Sequence, residues 1–286
     1  MARWRAVVVT MGTRPVELAR AVASLRAQED VDLEVVVVGN GWAPEGLPDG
    51  VRTVHSPENL GPPAGRNLGL AGAGAEHFFF LDDDAHLPHP DTLARLERLL
   101  EDDPGLGVVQ TRIRTPEGDS LPRWVPRMRD KDPERGSVAF SLLEGSVAVR
   151  GAVLAASDGW PGPFFYAHEG IELAWRAWDA GYRVEYHPEL EAVHPRIHPS
   201  RHEDHLFLDG RNRVWLARRN LPLPLGVLYV GVRGGMSLAR TARQPSAAAA
   251  YLRGVAAGLR RPAGPRRPMA WRTVWTMTRH GRPPVV

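Results

Sequence analysis

The chain has 286 residues, of which 43% are apolar and 24% charged, a balance ordinary for a globular enzyme with a sizeable core. It contains no cysteine, which excludes disulfide frameworks, thiolate zinc sites, iron–sulfur clusters and cysteine nucleophiles, so any metal must be held by oxygen and nitrogen ligands. The net charge of +3 conceals an asymmetry, because residues 211–286 carry fifteen Arg and no Asp or Glu, whereas the first 210 residues carry 21 basic and 33 acidic side chains. An acidic body with a basic tail calls for an anionic neighbour of the tail: lipid headgroups, an acidic polymer or the acidic face of a second copy in a homodimer.

In chain order, Met1–Thr10 reads as a first β-strand and not as a signal peptide, since Thr10, Gly12 and Arg14 interrupt its short apolar run. Further strands are predicted at 34–38, 52–55, 78–81 and 107–111, alternating with helices at 15–28, 63–73 and 90–101 that open at or beside prolines. Such alternation predicts an α/β fold with a mostly parallel sheet covered on both faces. Residues 115–136, rich in Pro, Arg and Asp, read as a mobile excursion over the sheet edge. A strand at 137–149, a helix at 169–180 ended by Gly181 and a strand at 181–188 follow. Beyond His205 the pattern becomes helical and arginine-rich, so the chain divides into a catalytic domain over 1–205 and a basic, mainly helical region over 206–286. The longest apolar stretch, Leu221–Val232, has twelve residues and two prolines, whereas a membrane-spanning helix needs roughly 20. A cytoplasmic protein, peripheral at the inner face of the cell membrane, is the expectation.

Four segments carry chemistry. Phe78-Phe-Phe-Leu runs straight into Asp82-Asp83-Asp84, and extended backbone would put Asp82 and Asp84 on one side with Asp83 on the other. Carboxylates at the end of a parallel strand suit Mg2+ or Mn2+ bridging to a diphosphate. Asn59–Gly69 supplies a helix start with Arg66, which favours a phosphate. In Phe164–Arg176, the spacings place Glu169, Glu172 and Arg176 on one helical face. Glu172 and Arg176 have the spacing of an ordinary ion pair, and Glu169, at the helix start, is the better placed general base. His194, His198, His202 and His205 suggest zinc by their spacing, but Pro195 and Pro199 disfavour one continuous helix, and a single histidine joining the aspartates is preferred.

Taken together, Val7–Pro15, Glu34–Gly41, Asn59–Gly69, Leu81–Asp84, Glu169–Arg176 and Ala192–His194 resemble family 2 of the inverting glycosyltransferases, which have the nucleotide-diphospho-sugar transferase fold called GT-A. The resemblance implies a nucleotide-sugar donor, a metal site at Asp84 and His194, and donor contacts from Thr10, Arg14, Asn40, Arg66, Asn67, Asp82, Arg211 and Arg213. Its catalytic position falls on Gly170, which leaves the base to Glu169 or Glu172. It further implies a hexosyl- or rhamnosyltransferase of polysaccharide biosynthesis, with a glycan or lipid-linked acceptor of the cell envelope and no nucleic-acid partner. A nucleotidyltransferase of related fold and a non-catalytic glycan-binding protein are the competing readings.

Overall fold

The computed structural model describes residues 1–72, 74–130, 132–196 and 204–285. Its centre is an eight-stranded sheet, built from β1 (Arg3–Thr10), β2 (Asp32–Asn40), β3 (Arg52–Ser56), β4 (His77–Asp82), β5 (Leu106–Arg114), β6 (Ser137–Val138), β7 (Ser146–Arg150) and β8 (Arg183–Val193). The order across the sheet is β3-β2-β1-β4-β7-β5-β8-β6. Strands β1 to β4 pair in parallel, as do β5 and β8, while β7 runs antiparallel between β4 and β5. The valine and phenylalanine runs of β1, β2 and β4 are buried on both faces, as β-branched and aromatic residues in a covered parallel sheet should be.

One face is covered by α1 (Pro15–Arg26) and α3 (Thr92–Asp102), which add Leu18, Val22, Leu25, Leu93, Leu96 and Leu100 to the core. The other face receives α4 (Gly151–Ser157), α5 (Glu169–Asp179) and residues of the C-terminal helices α6 (His205–Asn220), α7 (Leu223–Thr241) and α9 (Trp271–Arg279), with α8 (Pro245–Arg260) packed on α6. Trp215, Tyr229, Val274 and Met277 from this last group join the same cluster as Phe164, Trp175 and Trp178. The basic tail therefore shares a core with the sheet.

The strand expected over 137–149 is two strands, β6 and β7, separated by an irregular passage that carries Glu144. The excursion at 115–136 is irregular but pinned, with Trp124 and Met128 buried and Met128 bridged to Ala139. Strand β8 runs further than expected because it absorbs Pro188 in a bulge. Its pairing with β5 passes from Thr111–His187 to Arg112–Glu191, which leaves Pro188 to Leu190 outside the ladder, where the missing proline N–H costs no bond.

Candidate active site

Strand β4 ends at Asp82, and the N–H of Ala85 donates to the carbonyl of Asp82 at 3.1 Å, so the three aspartates lie on a turn and not on extended backbone. The expected strand alternation is thus corrected, although its consequence survives in another way. Asp83 turns aside to accept hydrogen bonds from Thr10 Oγ1 at 2.7 Å and Arg14 Nη1 at 3.0 Å. Asp82 and Asp84 stay together. Just past the turn, His86 and Val193 exchange backbone hydrogen bonds at 2.9 Å in both directions, and this bridge brings the end of β8 alongside. The next residue, His194, then sets Nε2 3.1 Å from Asp84 Oδ1 and 3.7 Å from Asp82 Oδ2.

One ligand atom from each of Asp82, Asp84 and His194 lies within 4.8 Å of the others, the arrangement expected of a divalent-cation site with oxygen and imidazole donors. His194 Nδ1 is 2.8 Å from the carbonyl of Pro195, which fixes the ring and leaves Nε2 aimed at the carboxylates. Although burial opposes it, the hydrogen bonds and charges of Asp82 and Asp84 push the imidazole up to about 10. Arg14 forms a close ion pair with Asp84, and Arg66 Nη2 lies 3.3 Å from Asp82 Oδ1. The guanidinium of Arg66 stacks 5.0 Å above Trp160, and its buried Nη1 has no partner, so it retains a donor for an anion. His198 and His202 lie outside the described residues. His205 is on α6, in edge contact with Tyr166, so it does not belong to the aspartate cluster.

A second acidic pole lies at the start of α5. Phe165, Ala167 and His168 have positive φ angles of 63°, 71° and 73°, a conformation that non-glycine residues adopt only when surroundings hold them. Helix α6 does the holding. Asn212 Nδ2 reaches the carbonyls of Phe164, Tyr166 and Ala167 at 2.9, 2.7 and 3.0 Å, and Arg211 Nη2 donates to Phe164 O at 2.8 Å. Asp209 accepts from Arg213 at 2.8 Å and lies 2.8 Å from His168 Nε2. Arg211 and Arg213, expected from sequence as donor contacts, are buried here, Arg211 donating to the turn and Arg213 to Asp209 beside His168. Gly61, at φ 79°, admits the same turn, since a Cβ there would come within 2.2 Å of Phe165 O.

This scaffold presents Glu169, 4% exposed and with Oε2 unpaired, to a cavity of about 340 Å3 lined also by Glu144, Tyr166, His168 and Arg127. Burial and the neighbouring Glu144 charge push the Glu169 carboxyl up to about 8, against the pull of Arg66. Glu172 differs. Both its oxygens accept from Arg219, at 2.7 to 3.1 Å, and Oε2 also accepts from Asn220 at 3.0 Å, so its partner is on α6 and is not Arg176. That side chain fastens α5 to α6 and takes no part in lining the cavity. Asn67 exchanges hydrogen bonds with the backbone of Trp160 at 2.8 Å both ways, and Asn40 ties the end of β2 to Asn59 and Leu60. These two, expected at the nucleotide, use these groups to fix loops. Sequence reasoning missed Glu144, Asn212 and Asp209: Glu144 follows Leu142 and Leu143 and Asp209 follows Leu208, whereas Asn212 stands between Arg211 and Arg213 and carries no local signal.

Residues 6–146 match the family described as Glycosyl transferase family 2. Two curated relatives, both "Pre-mycofactocin glycosyltransferase" from strains of Mycobacterium tuberculosis, are 26% identical over 231 residues, which is 74% of this chain and 44% of theirs. The chain thus spans under half the length of the curated relatives it matches. Among solved structures, mannosyltransferase PcManGT from Pyrobaculum calidifontis, in complex with GDP-Man and Mn2+, is similar with a TM-score of 0.57 and 21% identity, over 91% of this chain and 76% of that one. S. aureus TarS 1-349 has a TM-score of 0.57 at 16% identity, covering 75% of this chain and 64% of that chain. These likenesses give the fold, which is the GT-A fold.

Proposed function

Because residues 6–146 match the Glycosyl transferase family 2 model and the chain has the GT-A fold, we propose that it is a family 2 glycosyltransferase that transfers a sugar from a nucleotide-diphospho-sugar to an acceptor hydroxyl, with inversion, assisted by a divalent cation. The observation that carries this reading is the cluster of Asp82, Asp84 and His194 at the end of a parallel strand, where open α/β sheets bind ligands. The donor set fits Mg2+ or Mn2+, which when bound supplies electrostatic stabilisation to the departing diphosphate.

The chain's own residues do the remainder. Arg66, beside Asp82 and with a donor to spare, binds a phosphate oxygen, and Arg14, paired with Asp83 and Asp84, holds the carboxylates of the turn. The acceptor oxygen attacks the anomeric carbon opposite the diphosphate, the bond from that carbon to the diphosphate oxygen breaks, and the hydroxyl proton passes to the carboxyl pole that includes Glu169. That PcManGT was solved with GDP-Man and Mn2+ supports a donor of this class.

The acceptor is read as a lipid-linked or cell-envelope glycan, met at an anionic membrane surface. Support comes from α7, where Leu223, Val227, Leu228, Val232 and Met236 are exposed, at 71% for Leu223, in a region with fifteen Arg and no acidic side chain after Asp209. No described helix is long and apolar enough to cross a membrane. Flotation with anionic vesicles should capture the protein at low salt and release it at high salt. Binding indifferent to lipid charge, or concentration-dependent dimerisation that buries α7 instead, would refute the membrane assignment.

The activity test is thermal shift and nucleoside diphosphate release with UDP-, GDP- and dTDP-sugars, with and without Mn2+. Metal-dependent stabilisation and release of diphosphate are expected. Pyrophosphate release from a nucleoside triphosphate would instead establish a nucleotidyltransferase.

A further inference from the structure

We propose that Glu144 is a second catalytic carboxylate of this site, taking the acceptor proton while Glu169 serves as its neutral partner. This rests on the glycosyl-transfer reading above and concerns which atom does the acid–base work. Glu144 sits in the irregular passage between β6 and β7, at the floor of the same cavity as Glu169. Its Oε1 occupies the space over residue 170, where a Cβ would lie only 2.2 Å away, so glycine at 170 is what admits the carboxylate. Position 170, which carries no side chain of its own, is thus covered by a carboxylate brought from a distant loop.

The two carboxyls have unequal surroundings. Glu144 is half-buried, faces the cavity and accepts the N–H of Gly170 in the first turn of α5, where helix geometry favours negative charge. Glu169 is more deeply buried and its Oε2 has no partner. Two carboxylates facing one cavity do not both ionise at little cost, so the pair holds one proton, and the better-solvated, hydrogen-bonded member carries the charge. Burial raises both carboxyls, with Glu169 reaching about 8; Arg66 and a backbone N–H of its own residue favour charge on each, and the Gly170 N–H adds a further donor on Glu144 alone. In the reaction the acceptor O–H proton passes to a Glu144 oxygen as the acceptor oxygen bonds the anomeric carbon, and the electron pair of the broken bond leaves on the diphosphate.

The test compares Glu144→Gln and Glu169→Gln, using nucleoside diphosphate release from whichever UDP-, GDP- or dTDP-sugar the wild-type protein cleaves. Glutamine mimics a neutral carboxyl and cannot accept a proton. Glu144→Gln should therefore lower kcat by about a hundredfold or more, with the donor KM unchanged within about threefold. Glu169→Gln should cost about tenfold or less, and Glu144→Asp should fall between wild type and Glu144→Gln. Equal activity in Glu144→Gln and wild type, or a greater loss in Glu169→Gln than in Glu144→Gln, overturns the proposal. Retained donor-dependent thermal stabilisation in each variant shows that a loss is not misfolding. A wild-type protein that binds no nucleotide in the presence of Mn2+ overturns the glycosyl-transfer reading instead, independently of Glu144.

Discussion

Replacing Asn212 by alanine removes the donor that holds the turn beneath Glu169. Asn212 is fully buried, and its Nδ2 serves three carbonyls. Phe164 O keeps Arg211 as a partner, but Tyr166 O and Ala167 O lose the donor that Asn212 supplies. Losing a buried hydrogen bond with its donor costs about 1–3 kcal/mol, so losing the bonds to these two carbonyls costs about 2–6 kcal/mol. The positive φ angles at Phe165, Ala167 and His168 store further strain of about 1–3 kcal/mol each, which the turn can release once unlatched. Its relaxation moves Glu169. The assay is urea denaturation beside steady-state kinetics, and Asn212→Ala should lower both stability and kcat while the donor KM changes little. Stability within about 0.5 kcal/mol of wild type, with an unchanged kcat, would refute the view that α6 holds this turn under strain.

Other consequences are as direct. Asp84→Ala should abolish diphosphate release and remove the Mn2+-dependent part of the thermal shift by UDP or GDP, since it deletes one of the three clustered ligands. Arg66→Ala should weaken nucleoside diphosphate binding by about 1.5–3 kcal/mol in a calorimetric titration, the value of a charge-assisted hydrogen bond. Glu172→Gln should lower the melting temperature by loosening α5 from α6, yet leave donor affinity as in wild type. For pH, the Glu169 carboxyl is raised to about 8 when folded from 4.5, so its contribution to stability is full below about pH 4.5 and is lost as pH rises through 8. Glu169→Gln removes that loss, so the variant's stability relative to wild type should increase between pH 6 and 9 in paired thermal melts.

The elements written in local pattern were legible. Valine runs and proline helix starts gave β1, α1, β2 and α2 (Pro62–Leu70) to within a few residues, and the acidic turn after Phe78–Leu81 marked the cluster of Asp82 and Asp84. His194 could be read as its companion, although the His86–Val193 bridge that delivers it could not. The bonds of Arg211 and Arg213 to the turn and to Asp209 were not legible, because α6 looks like any basic helix in one dimension, whereas in space it lies under the strained turn.

Sequence periodicity reports which side of an element is apolar, because burial repeats every two or 3.6 residues along one strand or helix. It therefore determined the parallel sheet, while the order and count of charged residues determined the carboxylates at the end of β4 and the cationic tail. Only the tertiary structure decided which charges meet: Glu172 with Arg219, Asn212 with the carbonyls before Glu169, and Glu144 over Gly170. Partners tens of residues apart are chosen by the packing of whole elements, and the electrostatics of a buried carboxyl depend on neighbours within a few ångströms, whatever their distance along the chain.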